Sequence, residues 1–328
     1  MSMLSPRSTT ALLGTASFRT DTGGYDRLQR WLGNHGPILA VGIEGTGSYG
    51  AGLTRYLKDA GIVVHEVMRP DRSLRRRLGK SDAIDAEAAA RTVLTGKGLI
   101  VPKSRAGAVE AVRVLRVARR SAIRARTQAN NQMLALIRSG PEALRAELGP
   151  LRVHTRIHAC ADYRSDPTDG DPLTATRNTL GTLARRSIQL ENEISVLDIE
   201  LATVVPIAAP TLLDVFSVGT DTAGTLLVAA GDNPERMHSE AAFAALCGVN
   251  PVPASSGKTT RHRLNRGGNR EANSALWRIA MVRLSHHQKT RDYAQRRSSD
   301  GKTKKEIMRI LKRYIARDVY PHLTTPQP

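Results

Sequence analysis

Cysteine, aromatic residues, acidic charge and long apolar runs are all scarce in this 328-residue chain. Two cysteines, Cys160 and Cys247, are too few for a disulfide framework or a cysteine-rich zinc site, and reduced thiols in a cytoplasm are the simple reading. Aromatic residues make up only 4% of the chain, which argues against base stacking on single strands as the main mode of any nucleic-acid contact. No run reaches the roughly 18 apolar residues of a membrane span. The N-terminus Met1-Ser2-Met3-Leu4-Ser5-Pro6-Arg7 also lacks the apolar core of a signal peptide. The expectation is a soluble, cytoplasmic protein without a membrane partner.

What is present in excess is positive charge. Lys and Arg number 49 against 30 Asp and Glu, a formal net charge of +19 and a sequence pI near 10.7. Such a balance favours polyanions through counterion release, with nucleic acid the first partner to consider and an anionic membrane the second. The excess is concentrated near the end: Lys258 to Arg317 holds 18 Lys and Arg but 4 Asp and Glu. A merely solvated charge run would mix its signs, and this one does not.

Hydrophobic periodicity divides the chain into three regions, residues 1–98, 99–205 and 206–328. In the first, short β-type runs (Ala11 to Phe18, Ile38 to Ile43, Ile62 to Val67) alternate with amphipathic segments (Tyr25 to Trp31, Tyr49 to Lys58), which predicts an α/β domain with a partly parallel sheet. In the second, residues 104–140 interleave apolar and arginine positions, Asp162 to Pro172 reads as an exposed break, and Leu173 to Val204 resumes a helical pattern. The two helices together predict an antiparallel hairpin or coiled-coil arm. In the third, after Pro206 and Pro210, Ser217 to Gly224 followed by Leu226-Leu227-Val228-Ala229 looks like the turn of a helix-hairpin-helix, with Gly219 positioned to meet a DNA phosphate.

Two constellations carry chemistry. Glu44 ends the run Ile38-Leu39-Ala40-Val41-Gly42-Ile43, and carboxylates at the carboxyl ends of parallel strands face the usual active-site crevice of α/β sheets. Asp82 and Asp85 sit three apart, on one face of a helix that Ser81 can cap. Hard oxygen donors of this kind suit Mg²⁺ or Mn²⁺, and two such ions ~4 Å apart can support phosphodiester cleavage. The spacing Gly45-Thr46-Gly47-Ser48-Tyr49-Gly50, with Glu66 ending the next strand, also matches a dinucleotide fingerprint. Glu44 beside a pyrophosphate and the +19 charge argue against that alternative. The second constellation is Asn250-Pro251-Val252-Pro253-Ala254-Ser255-Ser256-Gly257-Lys258, followed by Arg261, Arg263 and Arg266. A serine hydroxyl among fixed cations can attack a phosphodiester.

At these residues the sequence resembles the DEDD transposases of the insertion-sequence-110 family. The matching motifs are Gly42 to Tyr49, Lys80 to Ala86, Gly219 to Ala223, and Pro251 through Ser256-Gly257 to Gly267-Gly268-Asn269-Arg270. The resemblance implies an RNase H-like (RuvC-like) N-terminal domain, a coiled-coil arm and a mainly helical C-terminal domain with a serine nucleophile. It implies DNA strand cleavage and rejoining through a covalent phosphoserine, guided by a noncoding RNA of the element, by a homodimer that assembles into a tetramer in a bacterial cytoplasm. Glu44, Asp82 and Asp85 match three of the family's four acidic positions, and Ser256 best matches the nucleophile, with Ser255 the fallback. Lys258, Arg261, Arg263, Arg266, Arg270 and Gly219 are the expected nucleic-acid contacts. The family's first aspartate lies on an opening strand, and here Met1 to Thr10 contains no acid. The expectation is therefore a chain lacking that strand and ligand, impaired in recombination. The alternative is a non-catalytic nucleic-acid-binding remnant.

Overall fold

The computed structural model describes residues 2–4, 11–67, 81–163, 170–233, 236–254 and 262–324, with backbone alone at 2–4 and 324. The chain forms two compact units, one of Met1–Ala106 with Ala230–Phe243, the other of Gly107–Ala229 with Ala244–Pro328. Twelve α-helices and six short strands among the described residues make the protein mostly helical.

In the first unit β1 (Ser2–Leu4) pairs antiparallel with β2 (Leu12–Thr15). Helix α1 (Thr22–Gly33) begins where Asp21 accepts the Gly24 N–H at 2.7 Å. Strand β3 (Val41–Glu44) is followed by α2 (Ala51–Asp59) and pairs parallel with β4 (Val64–Val67), Val41 opposite Val64 and Glu44 opposite Val67. The sequence places strands at 11–18, 38–43 and 62–67; the observed ones are shorter because pairing begins only where Val41 N–H meets Val63 O at 2.8 Å. Leu39, outside that ladder, is 68% exposed. Among the described residues the two strand pairs are separate sheets.

Alternation along β3 sets two layers. Val41 and Ile43 are buried with Leu28, Leu32, Leu57 and Val64 under α1 and α2. Gly42 points the other way, against α3 (Asp82–Thr95): a Cβ there would lie 2.8 Å from Val93 Cγ2 and 2.9 Å from the Ala89 carbonyl. Only glycine lets this helix lie so close to the strand. Beyond α3, residues 99–106 are clipped to the segment 230–236. Asp232 accepts the N–H groups of Arg105 (3.1 Å) and Ala106 (3.0 Å), and Asn233 accepts that of Ser104. Arg236 donates to the Val101 and Ala230 carbonyls.

In the second unit α4 (Ala108–Ser139) and α7 (Pro172–Ala208) are antiparallel. Side-chain pairs show it, residue numbers falling on α4 as they rise on α7: Asn130 with Ser187, Arg126 with Glu191, Arg119 with Asp198. Two short helices between them, α5 (Glu142–Leu148) and α6 (Val153–Ala161), close the far end over Met133, Ile137, Leu144, Leu148, Cys160, Leu180 and Ala184. Pro172 opens α7 behind the Asp171 cap. Pro206 does not end α7, which continues to Ala208; in its last turn a proline forfeits a single helical bond.

The remaining elements are a 3₁₀ turn at Leu212–Asp214, α8 (Thr220–Ala230), α9 (Glu240–Leu246), the hairpin strands β5 (Val252–Pro253) and β6 (His262–Arg263), then α10 (Arg270–His286), α11 (Gln288–Ser299) and α12 (Lys304–Thr324). Helices α10 and α12 pack against each other, and Ala272, Ala275, Leu276 and Ile279 on the first and Ile307, Leu311, Ile315 and Val319 on the second are buried.

Candidate active site

Gly42 faces α3, so by strand alternation Glu44 emerges on that same side. On α3, Asp82, Asp85, Ala89 and Val93 follow the spacing of one helix face, and Ala89 and Val93 are the residues that meet Gly42. Glu44, Asp82 and Asp85 therefore belong to facing surfaces of one layer. Ser81 Oγ accepts the Ile84 N–H at 3.3 Å and fixes the start of the helix, so both aspartates occupy its first turn. Glu44 and Asp85 are half-buried and Asp82 is exposed.

The three are not drawn into one cluster: among the described residues no group of three His, Cys, Asp or Glu is placed to hold a metal ion. The donors nevertheless suit a hard divalent ion, since Mg²⁺ commonly takes one or two carboxylates and completes its shell with water and substrate phosphate. The neighbouring segment with Lys80 lies outside the described residues.

Sequence reasoning missed Arg105. After Glu44 the chain turns through Gly45 (φ +68°), with Ser48 and Gly50 N–H groups donating to the Gly45 carbonyl. A Cβ added at Gly47 would lie 2.8 Å from Nη2 of Arg105, so this guanidinium lies directly over the turn that follows Glu44. Arg105 has φ +54°, an unfavourable conformation for a side chain with a Cβ, and the Asp232 carboxylate holds its amide there. No local pattern signals this, because Asp232 is 127 residues away. Beside it, burial first and then the charges of Arg236 and Arg105 push the Lys103 ammonium down to about 8, with Glu66 and Asp232 opposing.

Ser255, Ser256, Lys258 and Arg261 lie in the segment 255–261, outside the described residues. What flanks that segment is defined. Val252 pairs with Arg263 and Pro253 with His262, so β5 leads into the serines and β6 leads out. The hairpin base is stitched by Asn265 donating to Asn250 Oδ1 at 2.6 Å and by Asn269 N–H to the Leu246 carbonyl at 2.6 Å. Gly248 (φ +64°) would, with a Cβ, come within 2.4 Å of the Gly267 carbonyl, which is why glycines meet here. Arg263, Arg266 and Arg270 are all exposed, Arg270 opening α10 behind the Asn269 cap. A cleft of about 760 Å³ opens at the hairpin base, lined by residues on both sides of the serine segment and by α12.

At the turn expected to meet a phosphate, the Gly219 N–H donates to Thr222 Oγ1 at 3.0 Å, and Ser217 takes φ +69°. The next residue of consequence is Asp221, paired with Arg116 at 2.7 Å, Arg119 at 3.4 Å and Arg278. This turn is thus tied to α4 and α10.

Residues 5–139 match a family model described as a transposase of the DEDD IS110 type, and residues 209–295 match the model of the Transposase IS116/IS110/IS902 family. The chain belongs to the IS110 transposase family. The two matches together cover more than half of the chain, in the order of the two constellations. No curated protein matches the sequence. As an IS110 transposase the protein is a DNA transposase or recombinase, with DNA as its partner, and its DEDD domain implies dependence on a divalent metal. With the family established, Gly45 to Gly50 is the strand-to-helix joint after Glu44 rather than a pyrophosphate cradle. Among the described residues no helix is long and apolar enough to cross a membrane.

Proposed function

We propose that this transposase cuts and rejoins DNA through a phosphoserine, with Ser256 as nucleophile and Ser255 the alternative, on an RNase H-like N-terminal domain combined with a C-terminal serine domain. The reading is supported most by one observation: β5 and β6 bracket the serine segment and open at their base onto a cleft rich in cations. In the first step the serine Oγ bonds to phosphorus, one P–O bond of the DNA backbone breaks, and the leaving oxygen takes a proton. In the second, a hydroxyl of another strand attacks the same phosphorus and releases the serine, so each bond broken is replaced and no energy source is consumed. Arg263, Arg266 and Arg270, with Lys258 and Arg261, would hold the backbone and offset charge on the phosphoryl group. The Gly219 turn would meet a further phosphate.

Glu44, Asp82 and Asp85 would hold the divalent ion, Mg²⁺ or Mn²⁺, which when bound supplies Lewis-acid activation of the phosphoryl group. Arg105, over the turn after Glu44, is placed to neutralise a phosphate that approaches those carboxylates. Strand exchange needs two DNA sites held together, which fits a homodimer assembling into a tetramer, and a noncoding guide RNA of the element is the expected source of site choice.

The test is cleavage of labelled DNA carrying the ends of the element, with its RNA, in Mg²⁺ or Mn²⁺. Glu44→Gln and Asp85→Asn should each lower the cleavage rate at least about a hundredfold, the scale of losing a positioned electrostatic group, while DNA affinity changes little. Unchanged rates would remove the acidic layer from the mechanism. Binding without cleavage in any metal would replace the reading with that of a non-catalytic nucleic-acid-binding protein.

A further inference from the structure

Lys312 is 7% exposed, yet it lines the cleft below the serine hairpin. Its ammonium donates to Asn273 Oδ1 at 2.7 Å, and among the described residues that neutral oxygen is its one partner. Asn273 is held in turn, donating to the Cys247 and Gly248 carbonyls at 2.8 and 3.2 Å. An ammonium carries three donors, and a buried charge is costly unless something of opposite sign meets it. Among the described residues the surroundings pair no carboxylate with it. Arg263, Lys302, Arg309 and Arg313 line the same cleft, and among the described residues Glu306 is its single acid. The Glu306 carboxylate is engaged at the start of α12, accepting the Thr303 N–H at 2.9 Å and hydroxyl at 2.8 Å. Burial and the nearby Arg309 charge lower the affinity of Lys312 for its proton, as expected for a cation awaiting an anion.

We infer that this cleft is a phosphate-binding subsite for the DNA strand the serine attacks, with Lys312 at its floor and Arg309 on its wall. The inference rests on the phosphoserine reading for the identity of the strand. Asn250 and Pro251 on one side, and His262 and Arg263 on the other, line the cleft and flank both ends of the serine segment. A strand bound between those two flanks would lay its phosphates along the cleft, next to the segment that carries Ser256 in the sequence. Lys312 acts here as a positioning residue, registering the backbone through a buried point charge that Asn273 aims.

The experiment is fluorescence anisotropy of the full chain with single-stranded and duplex DNA across a salt series. Lys312→Gln should make the dependence of log affinity on log salt shallower by about one unit, the signature of one lost phosphate contact, and Lys312→Arg should restore it. Arg309→Gln, at a less buried position, should produce the same change and decides the matter if Lys312→Gln lowers the melting temperature. Unchanged slopes in Lys312→Gln and Arg309→Gln would overturn the subsite, as would a change confined to RNA oligonucleotides. Ser256→Ala separates the two readings. Loss of a covalent adduct in Ser256→Ala with unaltered slopes for the cleft variants leaves the nucleophile and sinks the subsite. Shallower slopes for the cleft variants with an adduct that survives Ser256→Ala leave the DNA phosphate site and sink the nucleophile.

Discussion

Asp221 illustrates how much of this protein is decided by single charged groups far apart in sequence. Burial by itself would raise its pKa; the Arg116 charge and the hydrogen bonds from Arg278 and Arg116 outweigh burial and hold the carboxyl below its ordinary value. A carboxyl held low contributes stability that is complete above its unfolded pKa of about 3.9 and is lost as pH falls through the native value. Asp221→Asn should therefore destabilise the chain by about 2 kcal/mol near neutral pH, since it leaves Arg116 and Arg278 facing a half-buried neutral partner while Arg119 keeps Asp198, and should flatten the decline of melting temperature below about pH 4. Equal melting curves for the two proteins across that range would refute the assignment. In the sequence Asp221 was visible only as part of a glycine-rich turn. Its partners Arg116 and Arg278 lie 105 and 57 residues away, and no local pattern links them. Arg105 was hidden for the same reason, whereas Ser81 and Asp82 were legible because capping is a local interaction.

At the scale of elements, periodicity carried the long helices. The apolar stripes of residues 104–140 and 173–204 are long enough that a 3.6-residue repeat dominates any misreading of single positions, and α4 and α7 follow them to within a few residues. The arginines interleaved on α4 turn out to be largely structural: Arg119 meets Asp198, Arg120 meets Glu271 and Arg126 meets Glu191. The short helices α5 and α6 went unread, because seven and nine residues hold too few repeats to signal a period and their stability comes from packing at the end of the hairpin. That packing gives a direct comparison. Leu144, fully buried among Ile137, Leu148 and Leu180, should cost about 2–5 kcal/mol as Leu144→Ala in urea unfolding, through lost burial and the cavity left behind. Ile199, 69% exposed on α7, should cost well under about 1 kcal/mol as Ile199→Ala. Similar costs for the two would mean that the hairpin end is not a closed core.

For the whole molecule, charge was the most legible property and the joining of distant segments the least. The one-sided run from Lys258 to Arg317 supplies β6, the arginines after it and the cationic wall of α12 around one cleft. The acidic layer was legible in part: alternation in β3 and the helix repeat in α3 place Glu44, Asp82 and Asp85 on facing surfaces, but not in one cluster. How residues 230–243 join the first unit was beyond the sequence, since Asp232, Asn233 and Arg236 act through backbone groups of residues 101–106. The account depends on chemistry at the serine segment between the two short strands. The measurement that tests it most directly is to trap the protein on DNA bearing the ends of its element, digest both partners, and identify by mass spectrometry the side chain that retains the nucleotide. The account predicts a nucleotide phosphodiester on Ser256, or on its neighbour Ser255; a nucleotide on any other residue, or cleavage that leaves no protein-linked DNA, would contradict it.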